Sequence, residues 1–235
     1  MTTDKQLVTT AMILAAGRGA RLRPVTDNIP KPLVKVAECS LLERHIRRLI
    51  GAGIKRIVIN IAYLPERIKE AVGNMAINDV EIIYSEENAG ALETAGGILQ
   101  ALPDLAAECF LVVNADVWTD YDFNILVQKD VSNLLAHLVM VDTPADKSTA
   151  DFFQDDDGYL NASQSGKGLT FSGISLMQKA LFTGLSPGKL ALRPVLEKAI
   201  VESQVTAEHY SGEWYDVGTV SKLQALQKVK AAERP

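Results

Sequence analysis

Residues 8–33 read "VTTAMILAAGRGARLRPVTDNIPKPL". The first nine are apolar or small and run into glycine, which predicts a β-strand over 8–16 buried on both faces. Gly17 and Gly19 follow one residue apart, where the backbone must turn sharply and can lie close to a ligand. Arg18, Arg21, Arg23 and Lys31 then crowd positive charge onto one proline-rich loop. A strand that ends in a glycine turn and a cationic loop predicts an anion site at the carboxyl edge of an α/β sheet. Two common nucleotide loops are excluded by spacing. The third glycine of G-x-G-x-x-G is replaced by Leu22, and neither this loop nor "SGKGL" near Lys167 is a G-x-x-x-x-G-K-[ST] loop. What remains is a turn whose amides, with Arg18, Arg21 and Lys31, embrace a polyphosphate.

Outward from that loop, strand and helix signals alternate. Ser40 and Glu43 form a capping box ahead of Leu42, Ile46, Leu49 and Ile50 at helical spacing, and Gly51 and Gly53 close that helix. A buried strand is predicted over 57–61, a helix opened by Pro65 over 65–72, a strand over 80–84, a helix over 94–102 capped by Thr94, and a strand over 109–113. This order implies a three-layer, Rossmann-like α/β sandwich with a mostly parallel sheet. A further strand is expected at 137–141. Residues 142–167 lose apolar periodicity and are rich in Asp, Ser and Gly, which predicts loops and short antiparallel strands ending in "LTFSGISLM" at 169–177. A helix over 192–201, a short strand over 205–210 and a final helix capped by Thr219 or Ser221, burying Val220, Leu223, Leu226 and Val229, complete the chain. With no internal repeat and no linker, residues 1–235 are expected to form one domain.

Bulk composition narrows the function. Hydrophobic residues make up 47% and charged residues 23% of 235, and the formal charge is −5, which argues for a globular chain and against a nucleic-acid partner. Cys39 and Cys109 suit reduced thiols in a cytoplasmic protein. Asp4 beside Lys5, with no basic cluster, speaks against a secretory leader, and no apolar run approaches the ~18 residues that span a bilayer. No membrane partner is expected.

Two aspartates stand out by position. Asp116 in "NADVWTD" follows a buried strand, and Asp216 in "EWYDVGT" follows a strand-like segment and precedes Gly218 and a helix start. A carboxylate facing a phosphate loop needs a cation between them, and Mg²⁺ takes one or two carboxylates plus phosphate oxygens and water. Asp120 and Asp122 read as solvated loop residues, while Trp118 and Trp214 flank the two aspartates either as core or as a pocket wall. In "SEENAGALETAGGI", residues 85–98, the small residues suggest backbone close to a flat ligand. His45, His137 and His209 have no partner motif and read as structural.

The stretch from Leu14 to Pro32 resembles the signature of the sugar-1-phosphate nucleotidyltransferases, L-A-A-G-x-G-[ST]-R-[LM]-x-P-x-T-x-x-x-P-K-P, and departs only at Ala20, where the family carries a hydroxyl. The resemblance implies that Gly17, Gly19, Ala20 and Arg21 wrap a nucleoside triphosphate and that Lys31 neutralises its phosphates, with Arg21, Lys31 and Asp116 as the catalytic set. It implies Mg²⁺ on Asp116 and Asp216, Asn114 near nucleotide or sugar, and Glu86 or Glu87 toward the base. By position Asp151, Ser172 and Gly173 face the sugar. The family's E-K-P lysine for the sugar phosphate is missing, leaving Lys147, Lys167 and Lys189 as candidates, and no β-helix domain like that of the acetylating relatives is expected. The set "NADVWTDYDF", "LTFSGIS" and "EWYDVGT" is similar to the branch that joins UTP to N-acetylmuramate 1-phosphate in cell-wall recycling. Guanylyl transfer to mannose 1-phosphate and a non-catalytic nucleotide-sugar sensor are the alternatives. The expected partners are UTP and a sugar 1-phosphate, and the chain is expected to act as a monomer.

Overall fold

The computed structural model describes residues 7–87, 90–161, 163 and 165–233. The Asp4–Lys5 charge pattern, and Asn88 and Ala89 of the 85–98 segment, lie outside them. In chain order the elements are β1 (Thr10–Leu14), β2 (Lys35–Val36), β3 (Cys39–Ser40), α1 (Leu41–Gly51), β4 (Arg56–Ile61), α2 (Pro65–Gly73), β5 (Glu81–Glu86), α3 (Glu93–Leu105), β6 (Cys109–Asn114) and β7 (Val117–Thr119). They continue with α4 (Asn124–Val127), β8 (Ala136–Val141), β9 (Phe152–Gln154), β10 (Leu160–Asn161), β11 (Lys167–Gln178), α5 (Leu192–Val201), β12 (Val205–His209), β13 (Trp214–Asp216) and α6 (Val220–Ala232).

β1 is the axis of the main sheet. It pairs in parallel with β4 on one side and β6 on the other, and β4 pairs in parallel with β5. The long β11 then runs antiparallel to β6 and to β8, and β12 returns parallel to β8. The first residues of β11 also pair with β9, which forms a small antiparallel hairpin with β10. The expected mixture of a mostly parallel sheet and a small antiparallel region is thus the fold. Alternate residues of the central strands feed two cores. Ala11, Ile13, Ile57, Ile59 and Val113 face α1 and α2, while Met12, Val58, Phe110 and Val112 face α3 and α5. Strands buried on both faces must be apolar throughout, which is why they read as continuous runs rather than alternation.

A third, smaller core decides where the cationic loop lies. Leu22, Val34 and Val36 pack with Trp118, Val217, Leu223 and Leu226, so α6 clamps the loop onto the β7–β13 ribbon. Two of the three predicted caps form: the Ser40 hydroxyl accepts from Glu43 N at 3.1 Å and Thr219 accepts from Lys222 N at 3.3 Å.

Three local expectations are corrected. Thr94 does not cap α3; the helix starts at Glu93 after Leu92 with no side-chain cap, and it continues through Pro103 to Leu105, which is fully buried against the sheet. The stripe of α6 does not end on Val229, which is 39% exposed, because Lys230 takes the inward place. Its stem lies along Trp118, with Nζ 4.0 Å from the ring centroid and paired to Glu213 and Glu233. The paired glycines of α3 do not face a ligand. A Cβ on Gly96 would meet the Gly188 carbonyl at 2.2 Å, and one on Gly97 would meet Glu87 Oε1 at 2.6 Å.

Candidate functional site

Register brings the site together at the carboxyl edge of the parallel strands. Asn60, Leu14 and Asn114 end β4, β1 and β6 side by side. From this row a buried relay of hydrogen bonds fixes the loops above. Ala15 N donates to Asn60 Oδ1 at 2.7 Å, Asn60 Nδ2 donates to Glu87 Oε1 at 2.7 Å, and Leu92 N donates to Glu87 Oε2 at 2.7 Å. Asn60 and Glu87 are both buried, and Gly97 leaves the room in which they meet. Each buried polar atom named here has a partner, so the relay rigidifies rather than costs.

The cleft over this row, about 210 Å³, is lined among others by Gly17, Lys31, Asn60, Glu87, Asn114 and Asp116. At Gly17 no atom lies within 4 Å of where a Cβ would stand, so the backbone there is open to a ligand. Gly19 is different: its φ is +68°, and a Cβ would come within 2.9 Å of Lys31 Cβ. Thr26 Oγ1 donates to the Gly19 carbonyl at 2.8 Å, which fixes the turn. Lys31 opens a 3₁₀ turn, is only 7% exposed, and places Nζ 2.5 Å from Asp116 Oδ2. Gly19, Ala20 and Arg21 do not line the cleft; Arg21 is exposed on the 3₁₀ turn Ala20–Leu22. Arg18 stacks over Tyr63, with its guanidinium carbon 5.1 Å from the ring centroid, and Arg23 pairs with Asp27 at 3.0 Å.

The two aspartates, a hundred residues apart, meet through the small ribbon. β13 pairs with β7 so that Asp216 stands opposite Val117, and Val217 N donates to the Asp116 carbonyl at 3.0 Å. Both carboxylates line a second cleft with Asn114, Lys147, Asp151 and Lys222. Among the described residues no three His, Cys, Asp or Glu side chains gather into a cluster. Asp116 and Asp216 are hard oxygen ligands on the same cleft and could hold a cation that completes its shell with phosphate and water.

On the far side of this cleft β11 slips its register against β8 between Phe171 and Ile174, and the bulge holds Ser172 and Gly173. Gly173 has φ +82°, and a Cβ there would strike Asn114 Nδ2 at 2.5 Å, so glycine is what lets Asn114 turn into the cleft. The Ser172 hydroxyl points inward, donating to the Val139 carbonyl at 2.6 Å, while its own carbonyl accepts from Trp214 Nε1 at 2.9 Å. Asp151 Oδ2 accepts from Lys147 Nζ at 2.5 Å and from Phe171 N at 3.0 Å. A side lobe of about 440 Å³ opens beyond, between Phe171, Phe152 and the start of α5.

Several expectations separate here. Of the three candidate lysines, Lys147 lines the cleft, whereas Lys167 pairs with Asp142 at 3.2 Å and Lys189 with Glu93 at 3.7 Å. Glu87 lines the cleft over the strand ends with both oxygens already engaged, and Glu86 lies outside it, 2.6 Å from Lys69. Asp120 is an exposed loop residue as expected, and it also accepts from Glu213 N at 2.9 Å and from the Tyr210 hydroxyl, tying the two aspartate loops together. Trp118 is core, between Arg44 and Lys230, while Trp214 is a cleft wall.

None of the three histidines lines the cleft over the strand ends or the aspartate cleft. His45 Nε2 donates to Val117 O at 2.7 Å, holding β7 to α1, and burial pushes its pKa down to about 4. His137 is buried beside Thr206 and Glu208, and burial lowers its pKa too. Asn60 and Lys222 belong to the site and escaped sequence reading; the signal for Asn60 is an amide inside the otherwise apolar "IVINI". Lys222 sits one turn into α6 and reaches across to Asp216, 3.5 Å away, and Asp146, 2.8 Å away.

Residues 10–152 match the nucleotidyl transferase family model. The chain is 44% identical over 227 residues to the N-acetylmuramate alpha-1-phosphate uridylyltransferase of Neisseria meningitidis, a match covering 94% of this chain and 98% of that one. It is 29% identical over 224 residues to the enzyme of the same name from Caulobacter vibrioides, covering 88% and 91%. A solved structure described as a putative glucose-1-phosphate thymidylyltransferase from Bacillus anthracis superposes with a TM-score of 0.79 at 18% identity over 96% of each chain, which shows a shared fold.

Proposed function

We propose that this chain, which belongs to the nucleotidyl transferase family, converts UTP and N-acetylmuramate 1-phosphate into UDP-N-acetylmuramate and pyrophosphate. The observation that carries the reading is the end-to-end similarity to an enzyme of that name, joined to a cleft in which Gly17, Lys31, Asn114 and Asp116 converge. The triphosphate lies along the open backbone at Gly17, with Arg21 reaching from the rim. The base rests over Asn60 and the Glu87-anchored loop.

A sugar phosphate, with a second pKa near 6, is mostly dianionic at neutral pH, and no protein base is needed to activate it. Its oxygen attacks the α-phosphorus in line, the new P–O bond forms as the bond to the β-phosphate oxygen breaks, and pyrophosphate departs with the electron pair. The protein contributes positioning and charge neutralisation. Lys31, held by Gly19 and Asp116, presents its ammonium to the phosphates, and Lys147 takes the place of the missing family lysine at the sugar phosphate. Mg²⁺, when bound by Asp116 and Asp216, supplies further neutralisation of phosphate charge. Asn114 and the main chain of the Ser172–Gly173 bulge face the sugar. We place the reaction in the cytoplasm and the working unit as a monomer.

The test is a panel of sugar 1-phosphates against UTP, GTP, CTP and dTTP with pyrophosphate release measured, with and without Mg²⁺. Highest kcat/KM for UTP with N-acetylmuramate 1-phosphate, abolished by a chelator, is the expected result. Preference for GTP with mannose 1-phosphate would overturn the assignment, and no release with any pair would point to the sensor.

A further inference from the structure

The side lobe beyond the aspartate cleft has a chemistry of its own. It shares Asn114, Asp151 and Phe171 with that cleft and Glu93, Thr94 and Asn114 with the cleft over the strand ends, so it opens onto both, and Asp151 and Phe171 bring it within reach of the proposed sugar position. Its lining combines apolar side chains, Phe152, Phe171, Leu192 and Leu196, with the carboxylates of Glu93 and Asp151, and Arg193 is the cation among them. The guanidinium is held in place: it lies 5.3 Å over the Phe152 ring, Nε donates to Glu197 at 2.8 Å and one terminal nitrogen donates to the Asp151 carbonyl at 3.0 Å. The other terminal nitrogen comes no closer than 3.6 Å to the Asp151 carboxylate, whose second oxygen is taken by Lys147 and Phe171 N. A planar fork with donor capacity left, half-exposed at the edge of the lobe with Phe152 beneath it, suits a carboxylate carried on a short apolar group.

We infer that Arg193 is a specificity-determining residue that reads an acidic substituent of the sugar, the lactyl ether carboxylate, while Phe152 and Leu196 pack its methyl group. This rests on the proposed function, since the lactyl ether is what separates N-acetylmuramate 1-phosphate from N-acetylglucosamine 1-phosphate.

The experiment compares kcat/KM for these two substrates at saturating UTP in the wild type, Arg193→Gln and Arg193→Lys. Calorimetric Kd values for UDP-N-acetylmuramate and UDP-N-acetylglucosamine give the same comparison without turnover. The muramate-to-glucosamine preference is expected to fall about 10- to 100-fold in Arg193→Gln, the range for losing a hydrogen bond to a charged group, through KM rather than kcat, with Arg193→Lys between. An unchanged preference, or equal losses on both substrates, would overturn the inference while leaving the proposed function intact. A wild type that fails to use N-acetylmuramate 1-phosphate but turns over another sugar phosphate would overturn both.

Discussion

Lys31 and Asp116 show how a single pair can be both structure and chemistry. The lysine stem is buried and its ammonium sits 2.5 Å from a carboxylate that is itself one-third exposed to the cleft. In the proposed mechanism that ammonium is positioned for phosphates. Lys31→Met and Asp116→Asn are therefore expected to lower kcat by at least about 100-fold, as loss of one preorganised charge at a transition state does. Circular dichroism and thermal melting should stay near wild type, because Asp116 is not deeply buried. Gly19 is the residue behind this geometry. Gly19→Ala forces a Cβ against Lys31 at a φ of +68°, so a loss of about 1–3 kcal/mol of stability and a fall in kcat are expected together. A variant with unchanged melting temperature and unchanged kcat would show that the turn relaxes freely.

Among the elements, α6 and α3 do the most for the site without touching the reacting atoms. Leu226 is fully buried in the small core that clamps the cationic loop to the β7–β13 ribbon. Leu226→Ala should cost about 2–5 kcal/mol by cavity formation and lower activity at temperatures where the main sheet remains folded. The measurement is chemical denaturation alongside pyrophosphate release; a stability loss with full activity would separate the clamp from the site. On α3, Gly97→Ala drives a methyl into the Glu87–Asn60 bond. The loop anchored by Glu87 then shifts, and the expected signature is a raised KM for UTP with little change in KM for the sugar phosphate.

At the scale of the whole molecule the two buried histidines make stability pH-dependent. His45 has a folded pKa of about 4 against the ordinary 6.5, because burial disfavours the imidazolium; His137 shifts in the same direction. Between these values the unfolded chain binds more protons than the folded one, so stability is full above about pH 6.5 and falls as pH drops toward 4. Melting temperature should rise from pH 4.5 to 7, and His45→Gln, which keeps a donor for Val117, should flatten that rise. A steeper slope in the variant would contradict it.

The strand–helix alternation, the Ser40 and Thr219 caps and the sheet class were legible in the sequence because each rests on local chemistry: apolar runs bounded by glycine, a hydroxyl three residues before an amide, a proline at a helix start. So were the cationic loop and both aspartates, whose spacing along the chain is fixed. What the residues could not disclose is which side chains share a cleft. The resemblance points Glu86 or Glu87 toward the base, and only the fold shows that Glu87 has both oxygens engaged, by Asn60 on another strand and by Leu92 N. Lys147 separates from Lys167 and Lys189, and Lys222 and Arg193 enter, only when α5, α6 and the 142–151 loop converge on the β11 bulge. Sequence alone determined the chemistry available to this protein, since that depends on residue type and local pattern. The tertiary structure decided its arrangement, since register and long-range packing choose which charges meet.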